Sequence, residues 1–232
     1  MMVAVISGAT KGVGKTLAIY FASKGYQLAL GARNTELLTA LKQELESTYG
    51  VSVFVKSCDF SKKEETILFA KEVLAHYKKV DILVNNVGIY HIDSIIDEHE
   101  DFEMIMNTNL NSSYYLSKSI ARNMCQNKSG HIFNICSILS KAVQPNAASY
   151  TISKHALKGL NDVLREDLRD DNVKVTAIYP GSINTSSWEG MIAPKELFVQ
   201  PQDIVAIINT CLTISKNANV EEVVIKPMNK KY

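Results

Sequence analysis

Short apolar runs alternate along the chain with longer stretches whose apolar residues return every three or four positions. The runs at residues 3–6, 27–31, 51–55, 81–84, 130–135, 173–178 and 220–226 read as strands, the first of them buried on both faces. The longer stretches read as helices. One follows Gly14, with Leu17, Ala18, Phe21 and Ala22 on one face, and ends near Gly25. Others cover residues 36–49, 61–76, 102–127, 149–168 and 201–215. The region 102–127 carries Asn107, Thr108, Asn109 and Asn111 mid-helix, where asparagine is mildly unfavourable. That run predicts a kink at Asn109, or a side chain there that holds a water. Strand and helix alternate throughout. The pattern predicts an α/β fold: a doubly wound parallel sheet of about seven strands, helices on both faces, right-handed crossovers.

Composition narrows the picture. A chain of 232 residues with 46% hydrophobic residues suits one α/β domain, 1–232, with a sizeable core. The net charge of +1 gives no reason to expect nucleic acid or an anionic membrane as partner. Cys58, Cys125, Cys136 and Cys211 are far apart and sit in or near apolar segments, as reduced thiols of a cytoplasmic protein would. The five histidines show no ligand spacing, so no metal site is expected. The apolar run at residues 1–6 is too short for a secretory leader. No stretch approaches the roughly 20 apolar residues of a membrane span.

Candidate chemistry begins directly after the first strand. Residues 7–14 read S-G-A-T-K-G-V-G, with glycines at 8, 12 and 14. A glycine-rich turn between strand and helix lets backbone approach a phosphate, and the helix N-terminus supplies N–H donors. Alone, such a match also fits a plain tight turn. The second strand ends at Gly31, Ala32 and Arg33, without a carboxylate to take a ribose 2′-hydroxyl. Arg33 suits a 2′-phosphate, and Lys11 can add a charge; either alone also reads as a solvated surface cation. Asp59 can accept from an adenine amino group or cap the helix near Ser61. Asn85 and Asn86 follow the fourth strand and can tie neighbouring backbones together, while Gly88 permits close approach to a ligand.

The densest constellation is Ser137, Tyr150 and Lys154. Ser137 follows the fifth strand, and Tyr150 and Lys154 stand four apart on one helical face. A phenol beside an ammonium suits proton transfer to a carbonyl oxygen, and the ammonium is expected to pull the phenol pKa below its free value of roughly 10. A serine hydroxyl can hold the oxygen that becomes an alcohol. Each residue alone also fits a plainer role: core aromatic, strand-end polar residue, solvated helix charge.

Taken together, these motifs resemble the short-chain dehydrogenase/reductase family from the glycine loop to about Thr185. The family's T-G-x3-G-x-G falls on residues 7–14 with Ser7 for threonine, and its N-N-A-G on residues 85–88 with Val87 for alanine. The resemblance implies a Rossmann fold. It implies catalytic roles for Asn109, Ser137, Tyr150 and Lys154, with Asn109 holding a water that links Lys154 to solvent. It implies a dinucleotide, NADP(H), held by Gly8, Thr10, Lys11, Gly12, Val13, Gly14, Arg33 and Asp59. Asn86, Gly88, Tyr150, Lys154, Pro180, Gly181, Ile183 and Thr185 complete that set. The substrate would be a small carbonyl compound or alcohol, and the chain a homodimer or homotetramer packed through the helices of Asn109 and Tyr150.

Two departures from the family pattern stand out. The segment 185–200, with Trp188 and Met191, is a short substrate cover. The C-terminal V-E-E-V-V-I-K-P lacks the glycine-rich ending common in ketoacyl-carrier-protein reductases. Two other readings therefore remain beside a general carbonyl reductase: a 3-oxoacyl thioester reductase, and a dinucleotide-binding regulator without chemistry. The second usually loses the tyrosine or the lysine, and this chain keeps both.

Overall fold

The computed structural model describes residues 1–96, 98, 101–188, 190 and 193–228. Its strands are β1 Val3–Ser7, β2 Gln27–Ala32, β3 Val53–Ser57, β4 Ile82–Asn85, β5 Gly130–Ile135, β6 Val173–Pro180 and β7 Glu222–Ile225. All pair in parallel, in the order β3-β2-β1-β4-β5-β6-β7. The helices are α1 Gly12–Ser23, α2 Thr35–Tyr49, α3 Lys63–Tyr77, α4 Phe102–Met106, α5 Ser112–Gln126, α6 Ala148–Leu168 and α7 Pro201–Thr213.

Alternation along each strand sorts side chains onto two faces. Ala4 and Ile6 of β1 join Leu17 and Phe21 of α1, Leu38 and Leu45 of α2, and Ile204 and Ile208 of α7 in one core. Val3 and Val5 join Phe69 and Val73 of α3, Leu116 and Ile120 of α5, and Leu168 of α6 in the other. This is the doubly wound sheet the pattern predicts.

β1 has β2 on one side and β4 on the other, so the chain reverses its winding there. Ligands of open α/β sheets settle in the crevice at that switch, beyond the carboxyl ends of the strands. The glycine loop after β1 and the asparagine pair after β4 both open into it.

The helical region of residues 102–127 is interrupted. Between α4 and α5, Asn107–Asn111 form a π-helical turn, and the Ser112 N–H bonds the Asn107 carbonyl five residues back. The extra residue is the kink the sequence places at Asn109, and such bulges recur at functional sites.

Candidate active site

The glycine loop is shaped by close contacts. Gly8 and Gly12 have φ of +69° and +50°, a backbone region that favours glycine. A Cβ on Gly12 would stand 3.0 Å from Thr185, so the strand end after β6 lies against the loop. A Cβ on Gly14 would fall 2.2 Å from the Gly8 carbonyl oxygen. Gly14 therefore serves the packing of α1 onto the loop. The hydroxyl of Ser7 accepts from the N–H groups of Asn86 and Val87, and the Asn86 amide donates to the Ser7 and Gly8 carbonyls. Asn86 thus braces the loop from across the switch point. Asn85 donates to Ser117 and Asn134, and Asn134 donates to Asn161, so Asn85 joins side chains, and of the pair it is Asn86 that reaches neighbouring backbone.

The start of α1 fits a bound phosphate. Its N-cap, Lys11, makes no side-chain cap hydrogen bond, and its first turn holds no acidic residue. The start of α2 differs, since Asn34 there accepts from the Leu37 N–H at 2.8 Å. An uncapped helix N-terminus behind a glycine cradle is a place for an anion. Thr10 and Val13 flank the turn. Arg33 and Lys11 are exposed at the crevice edge. Arg33 also lies near enough to Asp59 to help hold its carboxyl below the usual range, against the burial that raises it and with Ser61 and Lys62. Asp59 Oδ1 accepts from both the N–H and the hydroxyl of Ser61, and the N-cap of α3 is Lys62.

Across the crevice, β5 leads to Ser137, which caps a short 3-10 turn, Ile138–Ser140, and accepts from the Leu139 N–H at 3.1 Å. Tyr150 lies in the first turn of α6. No side chain of that helix caps it; instead Asp93 takes the Ser149 N–H on both carboxylate oxygens, at 3.1 and 3.2 Å. An anion at a helix N-terminus is stabilising, and here it also pins the turn carrying Tyr150. The Tyr90 ring stands edge-on to Tyr150 with centroids 5.0 Å apart. Asp93 and Tyr90 are the site residues that sequence reasoning missed, because their partners lie more than fifty positions away.

Lys154 is 4% exposed, and its ammonium donates to the Ile135 carbonyl at 3.1 Å. Burial lowers its pKa, and the neighbouring Cys136 works the other way. A Cβ on Gly88 would be 3.4 Å from both Lys154 Nζ and Asn109 Oδ1, so Gly88, Asn109 and Lys154 meet at one point. Burial pushes the Tyr150 phenol up to about 12, and the Ser137 hydroxyl nearby pulls the other way. The expected downward pull from Lys154 is therefore overturned in this geometry: its ammonium lies 5.7 Å from the Tyr150 ring centre and its hydrogen bond goes to a carbonyl. The reading of Asn109 also changes. Its side chain accepts from the Ile89 N–H and donates to the Ile89 carbonyl and to Ser153. The amide fastens the segment after β4 to the bulged helix and to α6.

Beyond β6, Gly181 N–H donates to the Ile225 carbonyl at 2.8 Å, so the turn at Pro180 is held by β7. Ile183 bridges to Val199. The Trp188 ring packs against Phe198 at 4.8 Å between centroids. Met191 lies outside the described residues.

A parallel sheet with a glycine cradle at its switch point is the architecture of a dinucleotide-binding protein. The family model described as short chain dehydrogenase matches residues 2–195, and the chain belongs to that family. An uncharacterized oxidoreductase of Staphylococcus aureus is 28% identical over 227 residues, covering 97% of each chain. An alcohol dehydrogenase from Thermococcus sibiricus, solved with 5-hydroxy-NADP, superposes with a TM-score of 0.91 at 29% identity, over 98% of this chain and 97% of that one. A metagenomic short-chain oxidoreductase solved with NADP gives a TM-score of 0.85 at 30% identity, over 99% and 98%.

Proposed function

We propose that this protein interconverts a carbonyl compound and its alcohol with NADP(H), using Tyr150 as general acid in reduction and general base in oxidation. The observation that carries the reading is the gathering of Tyr150, Gly88, Asn109 and a buried Lys154 at one point of the crevice, with the Lys154 ammonium 5.7 Å from the Tyr150 ring centre. When bound, the nicotinamide supplies or takes the hydride.

The chain's own residues do the rest. Ser137 and Tyr150 converge on one place and hold the substrate oxygen there. A phenol pushed up to about 12 stays protonated at neutral pH, and that is the form a carbonyl reduction needs. As charge builds on the substrate oxygen, Tyr150 gives its proton and Ser137 donates to the developing alkoxide. Lys154 places a positive charge next to the tyrosinate left behind and orients the ribose hydroxyls. Asn109 holds the Ile89 backbone and Ser153 in register with Lys154, the positioning part of its role.

Cofactor choice rests on the end of β2. No carboxylate stands there, while Arg33 offers a fork of donors and Lys11 a point charge to a 2′-phosphate. The NADP complexes of two similar structures support this reading. Around the mouth, Tyr90, Ile92, Ile95, Ile96 and Val143 are exposed apolar side chains, which suits modest apolar aldehydes and ketones. Exposed Phe102, Met104, Tyr114, Ile152 and Val163 on α4, α5 and α6 support a homodimer or homotetramer through those helices. A cytoplasmic location accords with four free cysteines. Among the described residues no helix is long and apolar enough to cross a membrane.

The test is NADPH consumption against a panel of aldehydes and ketones. Turnover with apolar members is expected. NADPH binding with no turnover on any member would establish the dinucleotide-binding regulator instead.

A further inference from the structure

β7 is a short edge strand, yet its first residue reaches both halves of the catalytic constellation. Glu222 Oε2 receives the ammonium of Lys141 at 2.5 Å. Its Oε1 accepts from the Tyr179 hydroxyl at 2.8 Å and lies 3.8 Å from the ammonium of Lys158, which also donates to Asp162 on its own helix at 2.6 Å. These three partners sit on different elements. Lys141 ends the 3-10 turn that Ser137 begins. Lys158 lies on α6, one helical turn past Lys154 and two past Tyr150. Tyr179 is fully buried in β6, packed with Cys136 and Leu157, the neighbours of Ser137 and Lys158. The Lys141 ammonium also lies over the Tyr179 ring, 4.5 Å from its centre.

We propose that Glu222 is a positioning residue for the reaction: by holding Lys141 and Lys158 together it fixes the Ser137 turn against the helix that carries Tyr150. The proposal rests on the roles given above to Ser137 and Tyr150. Those two residues stand on separate pieces of chain, the 3-10 turn and α6, so their mutual geometry depends on what ties the pieces together. The Cys136 N–H bond to the Ile178 carbonyl anchors one end of the Ser137 turn. Glu222 anchors the other end, through Lys141. Partly exposed ion pairs taken singly contribute little to stability. A carboxylate that also satisfies a buried phenol is held in one orientation, and small displacements of reacting groups cost rate steeply.

The test uses the full chain with tyrosine rings labelled by carbon-13, the Tyr150 signal being assigned by its loss in Tyr150→Phe. At neutral pH, Glu222→Gln should move the Tyr150 signal in the same direction as Ser137→Ala does. Lys141→Met should reproduce that move, and the double variant should go no further than either. With a carbonyl substrate, kcat should fall about five-fold in Glu222→Gln while KM for NADPH stays within about two-fold. A Tyr150 signal that stays in place, even with a lowered melting temperature, overturns the proposal and leaves Glu222 a tie for the edge strand. If Glu222→Gln does not fold, the Tyr150 signal of Lys141→Met decides in the same way. Absence of turnover in the wild type would defeat the proposed function, whereas the signal reads the positioning without any substrate.

Discussion

The two sides of the crevice handle charge in opposite ways. On the dinucleotide side, Arg33 and Lys11 stand in water at the end of β2 and in the glycine loop. On the catalytic side, Lys154 is sealed between β5 and α6, and burial raises the pKa of the Tyr150 phenol. Exposed cations act through screened, adjustable attraction, so they set a preference between similar ligands. Buried groups act through desolvation, so they set which protonation state exists at all. Under the proposed function, discrimination falls to one wall of the crevice and proton chemistry to the other.

The strongest way to break this contrast is to remove the phenol. Tyr150→Phe keeps the ring beside Tyr90 and deletes the proton. Carbonyl reduction should fall roughly 100- to 10,000-fold with NADPH affinity nearly unchanged, by steady-state rates and a binding titration. Retained activity would place the acid elsewhere.

A second test separates burial from the neighbouring ammonium. In the protein without added dinucleotide, Tyr150 should stay a neutral phenol past pH 10 and ionise only toward about 12. A spectrophotometric titration of wild type minus Tyr150→Phe reads this directly. Because the folded site raises the pKa, the protonated form persists as pH rises and tyrosinate is delayed. Tyrosinate appearing below pH 10 would restore Lys154 as the dominant influence. The difference between the two outcomes exceeds two pH units, over a hundred-fold in the proton equilibrium.

The smallest effect belongs to the exposed wall. Wild type should prefer NADPH over NADH by roughly ten-fold or more in kcat/KM, less so in added salt. Arg33→Asp repels a 2′-phosphate and offers an acceptor to a free 2′-hydroxyl, so the ratio should fall or invert. An unaltered ratio would move the phosphate site away from the end of β2.

Much of this was legible before any coordinates. Short apolar runs bounded by turn signals mark the seven strands and the two-sided sheet, although the edge strand β7 is only half-buried. The glycine loop and the Tyr150–Lys154 spacing were legible for the same reason: each depends on residues close in sequence. The asparagine run even marked the π turn. Boundaries were less clear, as with β3, which begins at Val53, two residues after the start of the apolar run.

What the sequence by itself determined is the order of the elements and the placing of candidate groups at strand and helix ends; the switch point came with the sheet order. Periodicity and turn chemistry are local, and local rules carry them. Only the tertiary structure decided which partner each group takes. Asp93, not a residue of α6, caps the helix of Tyr150. Asn109 spends its amide on Ile89 and Ser153, and Glu222 reaches back to Lys141 and Tyr179. The direction of the Tyr150 pKa was likewise decided by packing. A nearby lysine is visible in a sequence, but the loss of water around a phenol is the sum of everything folded over it.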